Sequence, residues 1–421
     1  MKQPGFQLVA SLIAIVMIAN LQYAWTLFVG PIRAAHGWQQ SEVQAAFTLF
    51  ILLQTFVQPL DGWLMDRMGP RVLISVAGIL CGLGWSAMGY ASSLTQLHVC
   101  YALAGVGAAF VYSGCIGSAL KWYPDRRGFA SGLIAAGFGS GSAVFNLVIE
   151  NYLIPTYDYQ GAFLCSGLVQ GVTITVVAQF LRHPDASFAL PKTAAATVTV
   201  QSRRNAETFN TREMLSKPQF YILYAMFVMV ATGGLYLTAN QKDIATAWGL
   251  SSIVSVIVVA GPIANGVSRI FWGWFSDRIG RENTMVIAFL LQAVCLVSVA
   301  TLGRLSGPLF TIALVLTFFT WGEVYSLFPS TLGDYFGSKH ATSNYAFLYT
   351  AKGVAAYLGA YLGTRLVERT GSWESVFYGS AVLAMAGGLT ALVLKSRPLP
   401  KRATRRRQNG RNGTLIDANL H

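Results

Sequence analysis

The chain has 421 residues, of which 54% are hydrophobic and only 11% are charged, and its mean hydropathy is +0.49. Soluble domains carry about a quarter charged residues, so this composition excludes a protein whose whole surface faces water. The net charge of +13 does not indicate a nucleic-acid-binding protein, because the basic residues stand between apolar blocks and not on one folded domain.

Twelve apolar blocks follow one another along the chain, each close to the roughly 20 residues that a membrane-spanning helix needs. Six lie near residues 7–29, 43–65, 72–92, 97–119, 129–152 and 160–181, and six near 219–241, 251–275, 284–303, 308–333, 344–366 and 374–394. The first block is too long for the core of a signal peptide, so we expect it to be a retained helix. The pattern predicts an all-α integral membrane protein with twelve transmembrane helices.

Two polar stretches interrupt this pattern. Residues 182–218 are predicted to form a cytoplasmic linker between residues 1–181 and 219–394, and residues 395–421 a basic cytoplasmic tail. With both termini in the cytoplasm, 23 of the 30 Lys and Arg residues lie on that side and five lie outside, as the positive-inside rule requires. We therefore predict a multi-pass protein of a bacterial cytoplasmic (inner) membrane. The tail is expected to be a disordered anchor of this topology near anionic lipid, with a regulatory or partner-binding tail as the alternative.

One motif occurs at the same place in both parts of the chain. Residues 62–71 and 273–281 share a G-x-x-x-D-R-x-G pattern, and their aspartates, Asp66 and Asp277, lie 211 residues apart, which is half the chain. This repeat resembles the loop motif of the major facilitator superfamily, whose members consist of two pseudo-symmetric six-helix halves. The resemblance implies a charge-pair latch that stabilises one access state, with a static salt bridge as the alternative. Its residues are Asp66, Arg67, Arg71, Asp277, Arg278 and Arg281.

Two basic residues fall well inside predicted helices. Arg269 lies in the eighth block and Lys352 in the eleventh, at a similar depth. A cation at the bilayer centre costs at least about 2.5–3.5 kcal/mol, so such residues are candidates for function. Together they predict a cavity with positive potential, in which the Arg fork and the compact Lys charge both suit a carboxylate. The alternative is that Lys352 extends to the interface while Arg269 pairs with a structural acid.

Five further segments narrow the resemblance. They are residues 22–27, 121–132, 265–281, 320–330 and 344–352. They resemble the oxalate:formate antiporter family, over nearly the whole membrane region except the linker and the tail. The resemblance implies that Arg269 and Lys352 bind the carboxylate. It also implies that the lining of the site includes Gln22, Tyr23, Tyr112, Asn265, Trp321 and Tyr325.

Three positions depart from the pattern of oxalate carriers. Phe138 replaces an expected tyrosine, Tyr349 an expected tryptophan and Glu323 an expected glycine. Glu323 is the one acid that we place well inside a predicted helix. If it is ionised, the intramembrane charge is +1, which suits a monocarboxylate; if it is protonated, the charge is +2, which suits a dianion such as oxalate. We expect Glu323 to tune this charge or to couple transport to a proton, with structural pairing as the alternative.

The sequence thus predicts a secondary active transporter of small carboxylates, of the oxalate/formate or lactate/pyruvate class, working by alternating access as an antiporter or proton symporter. An exporter of drugs or lipophilic compounds is a poorer fit, because the intramembrane cations outnumber the acid. A non-transporting sensor is also a poorer fit, because the linker and tail are too short for a signalling domain. We expect a monomer without enzymatic activity, cofactor, metal or nucleic-acid partner. Its partners are the carboxylate, membrane lipid and, for a symporter, protons.

Overall fold

The structure, a computed structural model, describes residues 3–123, 127–182, 184, 205, 207–337 and 340–401. Within these ranges the chain is helical and has no β-strand. The amino-terminal part (residues 3–182) contains α1 Pro4–Tyr23, α2 Trp25–His36, α3 Gln40–Phe56, α4 Gln58–Met88, α5 Leu94–Trp122, α6 Arg127–Ser140, α7 Ser142–Val148, a π-helix Ile149–Leu153 and α8 Ile154–Ala178.

The carboxy-terminal part (residues 207–401) begins with the short helix α9 Thr211–Leu215, which lies in the predicted linker. It continues with α10 Pro218–Ala247, a 3-10 turn Ser251–Ile253, α11 Val254–Ile279, α12 Arg281–Thr301, α13 Gly307–Trp321, α14 Val324–Phe336, α15 Ala341–Ala356, a π-helix Tyr357–Gly363, α16 Thr364–Thr370 and α17 Glu374–Ser396.

Ten helical stretches are long and apolar enough to cross a membrane, by length and composition. One of them, residues 132–178, reverses at Asp158, where φ is 57° and ψ is 178°, so it holds two passes. The run from α15 through its π-helix to α16 adds a further pass, which is less apolar because it carries polar residues such as Asn344 and Lys352. The predicted twelve-helix, all-α fold is confirmed.

The first pass is longer than its apolar block. The block covers residues 7–29, whereas α1 begins at Pro4 and α2 continues through Pro31 to His36. The helix ends at Gly37, which has a φ of 70° that glycine adopts without strain. Hydropathy placed the end too early because it detects only the part of a helix in hydrocarbon, and a helix can continue through the polar interface.

The two parts of the chain meet along the centre of the molecule. There α11 packs against α6 and α7, α15 packs against α3, and α10 packs against α2. Gly139 and Gly266 allow α6 and α11 to approach closely, since a Cβ added to Gly139 would lie 2.7 Å from the Cα of Gly266. Small residues at such contacts are typical of membrane helices. The predicted boundaries of the halves, linker and tail remain predictions, and most of the linker and the tail beyond residue 401 lie outside the described residues.

The two π-helices agree with the internal repeat. The interval of 211 residues between Asp66 and Asp277 carries residues 149–153 onto 360–364, which overlap the second π-helix at Tyr357–Gly363. The first π-helix contains Glu150, which accepts a hydrogen bond from Lys242 on α10. The second packs against α3. Both π-helices therefore contact the other part of the chain. The same local irregularity therefore occurs at matching positions of the repeat.

Candidate functional site

Arg269 lies on α11 at the interface between the two parts, where only 3% of the residue is exposed. Its Nη1 donates a hydrogen bond to the carbonyl oxygen of Ala135 on α6 at 2.7 Å, and its Nη2 donates to Asn265 Oδ1 at 2.9 Å. The hydroxyl of Tyr23 on α1 donates to the same Asn265 oxygen at 3.2 Å. The guanidinium is therefore held by neutral acceptors, and one of them comes from the other part of the chain.

Lys352 lies on α15 and is fully buried. Its Nζ donates to Gln22 Oε1 on α1 and to Gln54 Oε1 on α3, both at 2.8 Å, and to the Tyr349 hydroxyl at 3.3 Å. These acceptors are also neutral. Two of the three lie in the amino-terminal part, so Lys352 joins the two parts of the chain just as Arg269 does.

The two cations face the same aromatic rings. Arg269 lies 5.9 Å from the centre of the Phe138 ring and 4.2 Å from that of Tyr325. Lys352 lies 5.5 Å and 5.8 Å from the same two ring centres. Arg269 and Lys352 therefore belong to one site, because they share both rings as neighbours.

Further aromatic residues enclose this site. The Tyr112 ring stacks on Tyr349 with ring centres 5.6 Å apart and meets Phe138 edge-on at 5.3 Å. Trp321 meets Tyr325 edge-on at 5.7 Å. The structure thus brings the predicted lining residues together around the two cations. Excluding water around charges strengthens their electrostatic interactions, so this enclosure suits the binding of a charged group.

Two parts of this site, Gln54 and the Ala135 carbonyl, are not recognisable from the sequence. Gln54 stood out only as an amide inside an apolar block, a weak signal because nothing local indicates which helix it faces. A backbone carbonyl has no signature in the sequence at all. Both become recognisable only where α3 meets α15 and α6 meets α11.

Glu323 lies at the break between α13 and α14 and is fully buried. Neither of its carboxyl oxygens has a hydrogen-bond partner among the residues that the structure describes, and none of the ion pairs there joins it to Arg269 or Lys352. The preceding residue, Gly322, is the one that abuts α11, since a Cβ there would lie 2.6 Å from the Asn265 carbonyl oxygen. Glu323 itself forms no hydrogen bond or ion pair with either cation among the described residues, and its role in tuning the charge or coupling a proton stays a prediction.

A second buried acid was missed. Asp61 on α4 is 2% exposed and accepts a hydrogen bond from the Ser113 hydroxyl on α5. Its other carboxyl oxygen, Oδ1, has no hydrogen-bond partner in the described ranges. Asp61 is the last residue of the membrane-spanning stretch 40–61, so the expectation that Glu323 is the one acid well inside a helix stays a prediction. Asp61 is hard to recognise as buried from the sequence, because it lies near the end of its apolar block and just before the charged motif at 62–71.

The second copy of the loop motif contains an ion-pair cluster. Arg281 contacts Asp277 at 2.8 Å and Asp334 on α14 at 3.2 Å, and its Nη1 donates to the Ser276 hydroxyl. Arg278 lies 4.1 Å from the centre of the Trp274 ring.

In the first copy, Arg71 Nε donates to Gln179 Oε1 at 2.8 Å, and Arg67 lies exposed on α4. The side chain of Asp66 lies outside the described residues. The predicted latch therefore stays a prediction, with an observed cluster around Arg281.

Comparisons with known proteins agree with this architecture. The family model described as Major Facilitator Superfamily matches residues 10–355 and 226–418. The chain is 36% identical over 400 residues to the oxalate:formate antiporter of Oxalobacter formigenes, covering 94% of this chain and 93% of the relative. It is 25% identical over 381 residues to a probable sulfoacetate transporter of Cupriavidus necator, covering 86% and 87%. It is 23% identical over 368 residues to monocarboxylate transporter 13 of Rattus norvegicus, covering 86% and 82%.

Proposed function

The chain belongs to the major facilitator superfamily and to the family of the oxalate:formate antiporter, and on this basis we propose that it is a secondary active transporter of small carboxylate anions. It works by alternating access around the site of Arg269 and Lys352. Its place is the bacterial cytoplasmic (inner) membrane, with both termini in the cytoplasm. Because the chain belongs to a transporter family, we expect it to transport a solute and to catalyse no enzymatic reaction.

One observation carries this proposal: two buried cations share a site that contains no carboxylate partner for either of them among the described residues. Neutral acceptors offset part of the cost of burying Arg269 and Lys352 but leave the net charge in place. An anion that binds between Arg269 and Lys352 neutralises their positive charge. A lipophilic cation would be repelled by the same two residues.

The relatives named above support the class of substrate. Their names refer to oxalate and formate, to sulfoacetate and to monocarboxylates, and all of these are small organic anions. The site offers a guanidinium and an ammonium, so a monocarboxylate can use one or both cations and a dicarboxylate can span them. The proposed mechanism is either exchange of two anions or symport of the anion with a proton. Glu323 is the proposed residue for proton coupling or charge tuning.

Alternating access requires contacts that break when the site opens to one side. Among the contacts that join the two parts near the end of α10, Gln40 Nε2 donates to Asn240 Oδ1 at 3.0 Å and to Asp243 Oδ2 at 2.9 Å. Lys242 forms an ion pair with Glu150 at 2.9 Å. We assign this outer network to the periplasmic side, following the predicted topology. The latch around Arg281 lies on the opposite, cytoplasmic side.

Counterflow in proteoliposomes tests the proposal. Purified protein is reconstituted, and exchange is measured with labelled oxalate, formate, lactate and pyruvate. Arg269→Gln and Lys352→Gln are expected to lower the exchange rate about 100-fold, because truncating a buried charge contact costs about 2–5 kcal/mol.

Lys395→Gln serves as the control, because Lys395 is an exposed cation near the end of α17, and it should exchange at the wild-type rate. Wild-type exchange by both of the Arg269 and Lys352 variants contradicts the site. Failure of the wild-type protein to move any of the four anions contradicts the substrate class.

A further inference from the structure

Gln54 is a buried residue of α3 whose side chain reaches the ammonium of Lys352 on α15. The two helices are close enough for this because Gly353, next to Lys352, packs directly on α3. A Cβ added to Gly353 would lie 2.7 Å from Thr55 Oγ1 and 3.0 Å from Leu52 Cδ2. The amide of Gln54 is thereby brought to a cation that lies 298 residues away in the chain.

The orientation of this amide is determined by its partner. An ammonium group can only donate hydrogen bonds, so the atom facing Lys352 must be the oxygen Oε1 and not the nitrogen Nε2. The same reasoning applies to Gln22, whose Oε1 is also 2.8 Å from the ammonium. Each Nε2 therefore points away from the ammonium. It is nevertheless close to it, because Nε2 and Oε1 are bonded to the same amide carbon.

Both of these amide nitrogens are buried, and neither has a hydrogen-bond partner within the ranges that the structure covers. Leaving a buried donor unpaired costs about 1–3 kcal/mol. Gln44, elsewhere on α3, shows the contrast, because its Nε2 donates to the Ala239 carbonyl at 2.9 Å and to Asn240 Oδ1 at 3.1 Å. The fold can thus pair the nitrogen of a buried glutamine on this helix, and at Gln54 it does not.

We propose that Gln54 is a further substrate-binding residue. Its oxygen positions the Lys352 ammonium, and its Nε2 donates a hydrogen bond to the carboxylate that this ammonium attracts. Together with the Gln22 amide it forms a group of neutral donors beside the charge, which suits an anion with oxygens in one plane. The proposal rests on the proposed function, since it assumes that the anion binds at Lys352.

A consequence for transport follows from the position of Gln54. The cation belongs to the carboxy-terminal part and the amide to the amino-terminal part, so a carboxylate bound by both bridges the interface. Binding of the anion is thereby coupled to the contact between α3 and α15. Substrate recognition and the approach of the two parts then use the same residues.

The test replaces Gln54 and measures binding separately from folding. Gln54→Leu removes both the acceptor and the donor, and it should raise the half-saturation concentration for labelled formate and oxalate about 10-fold, equivalent to ~1.4 kcal/mol. Gln54→Glu keeps the acceptor but adds a charge that pairs with Lys352 and competes with the substrate. This variant is expected to lose more affinity than Gln54→Leu.

Thermal unfolding of the detergent-purified protein, with and without oxalate or formate, provides the second measurement. A ligand that binds the folded state raises its Tm. Gln54→Leu should lower the Tm without ligand, because Lys352 loses an acceptor, and should also reduce the rise in Tm that a given ligand concentration causes. A merely structural role would lower the Tm without ligand and preserve the rise. If Gln54→Leu does not fold, Gln54→Met keeps the length of the side chain and takes its place.

Gln292→Leu is the matched control, because Gln292 is also fully buried and its Nε2 donates to the Val230 carbonyl on α10, away from the site. Its half-saturation concentration should equal that of the wild type. If Gln54→Leu retains wild-type half-saturation and ligand-induced stabilisation while Arg269→Gln abolishes exchange, Gln54 does not bind the substrate and the proposed function stands. If the wild-type protein moves no anion, the proposed function itself fails.

Discussion

At the scale of single residues, the two cations of the site are held without being neutralised. Arg269 donates to a backbone carbonyl and an asparagine, and Lys352 donates to two glutamines and a tyrosine. Dipolar partners compensate part of the desolvation of a buried charge, whereas an acidic partner would cancel its field. The choice of amides and carbonyls over carboxylates therefore preserves the attraction for an anion.

Glu323 provides a prediction at this scale. A carboxylate ion buried without a cation or hydrogen bond is unfavourable, so gain and loss of a proton at Glu323 has to accompany a change in its surroundings. Glu323→Gln keeps the shape of the side chain, but the amide cannot gain or lose a proton in this pH range. If Glu323 couples transport to a proton, the variant should flatten the dependence of uptake on external pH between about 5 and 8.

The buried Asp61 is the comparison for this test. Asp61→Asn should leave the pH profile of uptake in its wild-type form, because Asp61 bonds to Ser113 within the amino-terminal part. An unchanged profile in Glu323→Gln contradicts proton coupling through that residue. A flattened profile in Asp61→Asn alone would move the coupling site to α4.

At the scale of the helices, two interruptions fall beside the site. The first pass breaks between α1 and α2 at Ala24, immediately after Gln22 and Tyr23, and the tenth breaks between α13 and α14, between Trp321 and Tyr325. Discontinuous helices are a common way for transporters to place polar groups and side chains at a central binding site. Both interruptions thus lie within three residues of side chains that line the site.

Close packing of α6 and α11 is a second feature of this scale, and it gives a prediction. In Gly266→Ala the new Cβ would lie 2.8 Å from Ser140 Cβ and 2.9 Å from the Ala136 carbonyl oxygen. The helices must move apart, which should destabilise the protein by about 1–3 kcal/mol and weaken the bond from Arg269 to Ala135. We expect a lower Tm and slower counterflow.

Gly379→Ala on α17 is the matched substitution, because outside its own stretch of helix no described heavy atom lies within 4 Å of the added Cβ. This variant should keep the wild-type rate and should be equally or slightly more stable, since alanine favours a helix over glycine by about 0.5–1 kcal/mol. Equal Tm and transport rate in the two variants would show that the α6–α11 contact tolerates separation.

At the scale of the whole molecule, the two parts of the chain are joined by polar contacts as well as by the site. The outer network around Gln40, Asn240 and Asp243 and the Lys242–Glu150 ion pair connect α3 and the first π-helix to α10. The Lys242–Glu150 pair is only partly exposed and joins the two parts of the chain, so it favours the access state in which these parts touch here. Breaking it should shift the protein toward the opposite access state.

A charge exchange tests this shift. Glu150→Lys and Lys242→Glu each place like charges together, and each is expected to slow counterflow about fivefold, equivalent to ~1 kcal/mol. The double variant restores opposite charges and should recover most of the rate. Since Lys242 and Glu150 lie away from Arg269 and Lys352, the half-saturation concentration should change little. Single variants whose effects simply add in the double variant would contradict an interaction between the two residues.

The number of membrane passes, the internal repeat and the two candidate cations are determined by the sequence alone. Each is a property of a short segment: about 20 apolar residues form a span because unpaired backbone groups are unfavourable in lipid, and a lone Arg or Lys in such a span is conspicuous because it is costly. The resemblance of residues 265–281 and 344–352 to a known family rests on the same local information.

Only the tertiary structure decided which side chains meet. Gln54 reaches Lys352 across 298 residues, Arg269 binds a carbonyl 134 residues away, and Glu323 forms no hydrogen bond with either cation in the described part of the chain. Hydropathy does not contain this information, because the rotation of each helix about its axis follows from its packing against several neighbours. The charges of the site could be found in the sequence, but the neutral partners that hold them required the packed helices.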